Sequence, residues 1–335
     1  MDQFNVYKDM KARTNGEIYI GVVGPVRTGK STFIKRFMNL MVLPNIEDEN
    51  DRNRANDELP QSSSGKTIMT TEPKFAPNEA VSIKTEEGIE LNVRLIDCVG
   101  YMVEGATGHM EGEEERLVKT PWFDYEIPFT KAAAIGTKKV ITEHSTIGVV
   151  VTCDGSFGEI AAKQYEPAEE ETIKQLKALK KPFVVLLNTI HPYSESTKQL
   201  AAEKEEKYQT KVLPMNLEQM KKEDIYEIIK SVLMEFPISS IGFYVPRWTE
   251  MLKKDHPLKM ELLQMARDVI TEKTTMRDIY EEQEKEYEYI TGQKLESVAM
   301  DSGEVVITVK VGDVYYYEFL SETTGMEIRN EYEFI

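Results

Sequence analysis

The sequence predicts an α/β protein. Residues 16–236 should form a mostly parallel sheet with helices on both faces, and residues 237–335 a smaller α+β region. Three observations carry this. Short apolar runs rich in β-branched residues, such as IYIGVV (18–23), TIGVVVTCD (146–154) and PFVVLLNT (182–189), alternate with segments of helical periodicity. A glycine-rich junction at Gly24–Ser31 joins the first run directly to a helix. After Phe236 the alternation stops and a long amphipathic stripe replaces it.

Residues 1–15 are a charged N-terminal segment without an apolar stretch, so no secretory signal is expected there. Ile18–Val23 is the first strand. STFIKRFMNLM follows as a helix, with Phe33, Ile34, Phe37, Met38 and Met41 on one face. LNVRLIDCVG (91–100) and TIGVVVTCD supply further strands. A helix is expected around Glu171–Lys180, where Ile173, Leu176 and Leu179 fall in register. PFVVLLNT is a buried strand, and KVLPMN with LEQMKKEDIYEIIKSVLMEF closes the series as strand and helix. Asn216, with Gln219 three residues on, suits the cap of that helix.

Two long insertions interrupt the series, Pro44 to about Ala80 and Tyr101–Ser145. Loops of that length in a compact domain usually serve function. The acidic run Glu111–Glu115 in the second reads as solvated surface. Beyond Phe236, residues Leu258, Leu262, Met265, Val269, Met276, Ile279 and Ile290 lie on one stripe of a long helical segment. VVITVKV and VYYYEFL around Gly312-Asp313 then suggest a β-hairpin.

Of 335 residues, 58 are acidic and 41 basic, a net charge of -17. Such a surface repels nucleic-acid backbones and anionic headgroups, so neither is an expected partner. Two cysteines, Cys98 and Cys153, make no disulfide framework and suit a reducing compartment. No run approaches the ~20 apolar residues of a membrane span, so a cytoplasmic protein is expected.

Gly24-Pro25-Val26-Arg27-Thr28-Gly29-Lys30-Ser31 fits G-x-x-x-x-G-K-[ST] with a strand before it and a helix after it. Glycines let the backbone wrap a polyphosphate, and the helix offers the positive end of its dipole. Lys30 should reach the β- and γ-phosphates and Ser31 should ligate Mg²⁺. In a strongly acidic chain, such a local nest has to hold the anion unaided. Asp97 ends an apolar strand in D-x-x-G with Gly100, which places a carboxylate beside the metal and an amide toward the γ-phosphate. Thr67, Thr70 and Thr71, in the insertion between these elements, stand where a switch threonine would ligate Mg²⁺. Guanine-specific relatives carry N-K-x-D after a later strand, but this chain has Asn188-Thr-Ile-His191. Its lysine and aspartate are missing, which favours adenine or weak base discrimination. Tyr101 stands where many GTP hydrolases place a water-orienting glutamine, so Arg27 is the candidate for stabilising developing charge.

The stretches YIGVVGPVRTGKSTFIKRFM, DELPQSSSGKTIMTTEPKF, RLIDCVGYMVEGATG, EHSTIGVVVTCDGS and YVPRWTEMLK resemble the stage IV sporulation protein A family of endospore-forming bacteria. The likeness spans essentially the whole chain and includes the insertion around Thr70, not only the P-loop. It implies a nucleoside-triphosphatase fold of the translation-factor GTPase type that uses ATP and Mg²⁺. It also implies assembly of the protein with itself into the basement layer of the spore coat after hydrolysis, on the mother-cell side of the forespore outer membrane. A small amphipathic membrane-anchoring peptide and other coat morphogenetic proteins are the implied partners, with the membrane reached only through them. By this resemblance Lys30 is the P-loop lysine, Asp97 the magnesium-side aspartate, and Thr70 and Thr71 the nucleotide-sensing pair. Family members usually continue past residue 335, and the docking region is expected to lie mostly there. Two other readings compete: a GTPase switch in ribosome or translation work, and a nucleotide-binding scaffold without turnover.

Overall fold

The computed structural model describes residues 5–60, 73–85, 88–106, 108–111, 114–158, 160–280 and 285–334. Two compact units result, Met1–Glu235 and Phe236–Ile335.

The first unit begins with helix α1 (Val6–Arg13) and strand β1 (Glu17–Val23), followed by α2 (Lys30–Phe37). Next come α3 (Glu49–Asp57), β2 (Lys74–Lys84) and β3 (Glu90–Asp97). Two small ribbons follow, β4 (Met110–Glu111) with β5 (Glu114–Glu115), and β6 (Leu117–Thr120) with β7 (Phe123–Pro128). The unit then runs through α4 (Phe129–Lys139), β8 (Ile147–Cys153), α5 (Ala162–Ala178), β9 (Phe183–Asn188), α6 (Glu195–Tyr208), β10 (Val212–Met215) and α7 (Lys222–Met234).

Six of these strands form one sheet in the order β10-β9-β8-β1-β3-β2. All its pairings are parallel except β2 with β3. Every residue of β8 and β9 is buried. Strands covered on both faces need apolar side chains at every position, so these two read from sequence as continuous runs rather than alternations. Val150, Val185 and Leu187 pack with Ile173 and Leu176 of α5 and with Ala201 and Tyr208 of α6. Helices α1, α2 and α7 cover the opposite face.

Both insertions carry more structure than the sequence suggested. The first contains α3, whose Asp48 side chain accepts from the Asn50 and Asp51 amides, and the antiparallel edge strand β2. The second contains the ribbons and α4. The helix expected at Glu171–Lys180 starts earlier, at Ala162, in a polar stretch that hid it. Asn216 caps only a short 3-10 turn, Leu217–Gln219, and α7 begins at Lys222.

The second unit corrects the sequence reading at two places. Its elements are β11 (Ser240–Tyr244), α8 (Pro257–Glu272), β12 (Ile290–Ala299), β13 (Glu304–Val311), α9 (Asp313–Thr324) and α10 (Glu331–Phe334). Leu258, Leu262, Met265 and Val269 are the buried face of α8. The helix stops at Glu272, where the Asp278 carboxylate accepts from the Thr274 and Thr275 amides and closes a turn. Ile290 therefore opens a strand rather than continuing the helical stripe. VYYYEFL is also not a strand. It belongs to α9, whose helical spacing puts the rings of Tyr316 and Phe319 each 5.6 Å from Trp248. The hairpin partner of β13 is β12, which is mostly exposed or half-buried and so lacks the apolar alternation that marks a strand.

Candidate functional site

Gly24–Ser31 lies at the C-terminal edge of the parallel sheet, between the end of β1 and the start of α2. Open α/β sheets bind ligands at that edge. Gly24 has φ 128, and a Cβ there would lie 2.4 Å from the Val151 carbonyl oxygen. Only glycine lets the loop leave β1 this close to β8. Gly29, at φ 100, is the N-cap of α2 and makes no side-chain capping bond, so the first-turn amides of α2 keep no internal acceptor. Arg27 also has a left-handed backbone, φ 62, and is the exposed residue of the loop.

Pro25, Val26 and Thr28 are buried and shape the loop from beneath. The Thr28 hydroxyl donates to the Pro25 carbonyl at 3.0 Å, and the Lys30 ammonium donates to the same oxygen at 2.5 Å. The Val26 amide donates to the Tyr101 carbonyl at 3.0 Å, which joins the loop to the segment after β3. Val26 packs with Val103, Ala106, Cys153, Ile160, Tyr165 and Ala168, and Tyr101 rests against this cluster. Tyr101 is thus engaged in packing. Its pKa is pushed up to about 12, mainly by burial, so the phenol stays protonated and offers no base.

Beside Lys30, the Ser31 hydroxyl donates to Asp97 Oδ2 at 2.6 Å. Asp97 ends β3 and is buried, and its Oδ1 has no hydrogen-bond partner among the described residues. Burial raises the Asp97 pKa, opposed by the Ser31 hydrogen bond and by the charge of Lys30. Burial lowers the Lys30 pKa, opposed by Cys98 and Asp97. Gly100 closes the site at φ 92, where a Cβ would meet the Gly24 carbonyl oxygen at 2.1 Å and the Lys30 ammonium at 2.7 Å.

Asn188, at the end of β9, turns its side chain onto the protein. Its Nδ2 donates to the Thr28 carbonyl at 3.0 Å, and its Oδ1 accepts from the Leu217 amide at 3.2 Å. It therefore ties the phosphate loop to the turn after β10. Gly24, Pro25, Val26, Arg27, Thr28, Gly29, Lys30, Ser31, Asp97, Gly100 and Asn188 thus gather at one sheet edge. Thr67, Thr70 and Thr71 lie outside the described residues.

A polar cluster at the ends of β8 and β9 was not singled out from the sequence. Asp154 Oδ2 accepts from the Thr189 hydroxyl at 2.5 Å, and Oδ1 accepts from the amide and hydroxyl of Ser156 at 2.9 and 2.5 Å. The available signal was short polar residues directly after two buried strands.

An Mg²⁺ ion fits these residues. A buried carboxylate with one oxygen unpartnered, next to a serine hydroxyl, is the sparse oxygen set that the ion uses when phosphates complete its shell. Among the described residues, no helix is long and apolar enough to cross a membrane.

The family description "Stage IV sporulation protein A, ATPase domain" matches residues 1–237, and "Stage IV sporulation protein A, middle domain" matches residues 238–335. Relatives named stage IV sporulation protein A share 45% identity over 333 residues in Bacillus anthracis and 47% over 333 residues in Clostridioides difficile. Each of these alignments covers 99% of this chain and 68% of the relative. The relative of that name in Bacillus subtilis is 45% identical over 98% of this chain and 67% of its own length. A crystal structure of an SsGBP variant aligns with 66% of this chain and 58% of its own, at a TM-score of 0.36 and 15% identity.

Proposed function

Because the chain belongs to the stage IV sporulation protein A family, with an ATPase domain over residues 1–237, we propose that it binds Mg²⁺·ATP on Gly24–Ser31 and hydrolyses it. One observation carries this reading. Buried Lys30 and the Ser31–Asp97 pair stand together at a loop whose close packing requires Gly24, Gly29 and Gly100. A phosphate chain laid there meets the free amides of α2, the Lys30 ammonium and the exposed Arg27 guanidinium. Pro25 holds Lys30 in place through its carbonyl. Ser31 and Asp97 would hold the Mg²⁺, which when bound neutralises charge on the phosphates. Gly100 presents backbone rather than side chain to the phosphate end. Thr70 and Thr71 would complete the metal and γ-phosphate shell.

The further role we propose is assembly driven by that hydrolysis. The protein associates with itself into the basement layer of the spore coat, at the mother-cell face of the forespore. A small amphipathic peptide and other coat proteins recruit it. The relatives' name supports a sporulation role, and the acidic surface argues for a protein intermediary at the membrane.

Lys30→Ala tests the site. Removing a charged donor to phosphate costs roughly 1.5–3 kcal/mol, which lowers ATP affinity tenfold or more. Isothermal titration on the folded variant reads this, and unchanged affinity rules out the P-loop as the site. Sedimentation with phosphate release on the same preparation tests assembly. Polymer formed at full yield without turnover favours the scaffold reading.

A further inference from the structure

We propose that Asp154 sets base selectivity by taking hydrogen-bond donors away from the rim where the purine sits. The inference rests on the reading that Gly24–Ser31 holds a nucleotide. With the phosphates there, the nucleoside lies along the C-terminal edge of the sheet. Asn188 joins the phosphate loop at Thr28 to the turns after β9 and β10. Those two turns, residues 189–191 and 216–219, are the rim beside the phosphate site.

The amides of residues 189–191 and 217–219 are already engaged. The Ser156 hydroxyl donates to Asp154 and accepts from the Ile190 amide at 3.1 Å. The Thr189 hydroxyl donates to Asp154 and accepts from the His191 amide at 3.1 Å. Each hydroxyl is a relay: the carboxylate takes its proton side and so leaves its lone pairs for a backbone N–H. Asp154 thereby fixes the direction of both relays. The Thr189 amide donates to the Met215 carbonyl at 3.0 Å. In the second turn, the Leu217 amide goes to Asn188, the Glu218 amide to the Asn216 side chain at 3.1 Å and the Gln219 amide to the Asn216 carbonyl at 3.1 Å.

With these amides taken, the backbone here turns carbonyl oxygen toward a base. Guanine presents an acceptor, O6, and needs a donor opposite it; adenine presents an amino group at the same position and needs an acceptor. A rim with these amides spent gives guanine O6 no donor from them, and a polar group left unpaired is what a polar site discriminates against. His191, where a guanine-reading aspartate would stand, removes the second guanine contact. Asp154 is thus a positioning residue, acting through Ser156 and Thr189.

The test is displacement of a fluorescent ATP analogue by ATP, GTP and inorganic tripolyphosphate. It uses the full chain and the variants Asp154→Ala, Ser156→Ala and Thr189→Val. Ser156→Ala frees the Ile190 amide, and Thr189→Val frees the His191 amide at nearly constant volume. The expected result is ATP preference in the unaltered protein and at least a fivefold rise in the GTP-to-ATP affinity ratio in each folded variant. Tripolyphosphate displacement reads the phosphate loop apart from the base. An unmoved ratio in folded Ser156→Ala and Thr189→Val, with tripolyphosphate still displacing the probe, overturns the role of Asp154 and leaves the nucleotide site standing. A preference for GTP in the unaltered protein does the same. Failure of the unaltered protein to bind the analogue or tripolyphosphate overturns the nucleotide reading and this inference with it.

Discussion

Gly100→Ala separates a strained backbone from a crowded one. The added Cβ lies 2.1 Å from the Gly24 carbonyl oxygen, against roughly 3.3 Å for an ordinary carbon–oxygen contact. The two backbone segments must therefore part by about 1 Å. Left-handed φ alone costs an alanine ~1–2 kcal/mol. Parting the segments also strains the Val26–Tyr101 hydrogen bond at 3.0 Å and the Lys30–Pro25 contact, each contributing ~1 kcal/mol. The expected loss is roughly 2–5 kcal/mol, much of it local to the phosphate loop, with ATP affinity down at least tenfold. Gly88→Ala is the control: its φ is 78 and none of the described residues lies within 4 Å of the new Cβ, so it carries the strain without the crowding. Urea unfolding and ATP titration on both variants give the comparison. If Gly100→Ala loses no more stability than Gly88→Ala and binds ATP normally, the packing of Gly100 onto the phosphate loop is not what holds the site.

Two further outcomes follow from other buried groups. Glu169 is fully buried and pairs with the Lys204 ammonium at 2.6 Å, while its other oxygen accepts from the Thr152 hydroxyl. Glu169→Ala leaves Lys204 uncompensated and should cost ~3–5 kcal/mol in urea unfolding. Glu169→Leu combined with Lys204→Met should recover most of that, and equal losses in both would show that the pair is not the cause. The thiols give a pH outcome. Burial pushes Cys98 up to about 11 and raises Cys153. A raised thiol pKa favours the native state below the ordinary value near 9, and that contribution fades as pH climbs through 11. At pH 8 about one Cys98 in a thousand is thiolate. A thiol reagent should therefore leave the native protein unmodified and label both cysteines in urea. Rapid labelling of the native chain contradicts the buried placement.

The phosphate loop was legible because its chemistry is local: spacing, flanking strand and flanking helix all lie within fifteen residues of Gly24. Asp97 was legible for the same reason, as a carboxylate ending an apolar strand. The Asp154–Ser156–Thr189 cluster was not, because Thr189 lies 35 residues from Asp154 and meets it only through the pairing of β8 with β9. Asn188 shows the limit in another form. It holds the asparagine position of the N-K-x-D motif, and both ends of its amide are turned to the protein, a role that no local pattern shows. In the second unit the sequence favoured strand for VYYYEFL because aromatic residues carry β-propensity. The stacking of Tyr316 and Phe319 on Trp248 overrides that preference.

Lys30 and Asp97 show how the fold prepares the site at its own expense. Burial disfavours the charge on each, and each is the other's partial remedy. Among the described residues Asp97 keeps one oxygen without a donor, and Ser31 already satisfies the other. A fold selected for stability alone would place two neutral side chains here, since burying a charge costs free energy unless it is paired and hydrogen-bonded. The pair instead holds a cation where a polyanion would lie and a carboxylate where a dication would lie. Binding Mg²⁺·ATP supplies both missing partners together, so the cost of desolvating these groups is met in folding rather than at the moment of binding. The same logic explains how a chain of net charge -17 can take up an anion: the attraction is confined to one loop, one helix end and two cations.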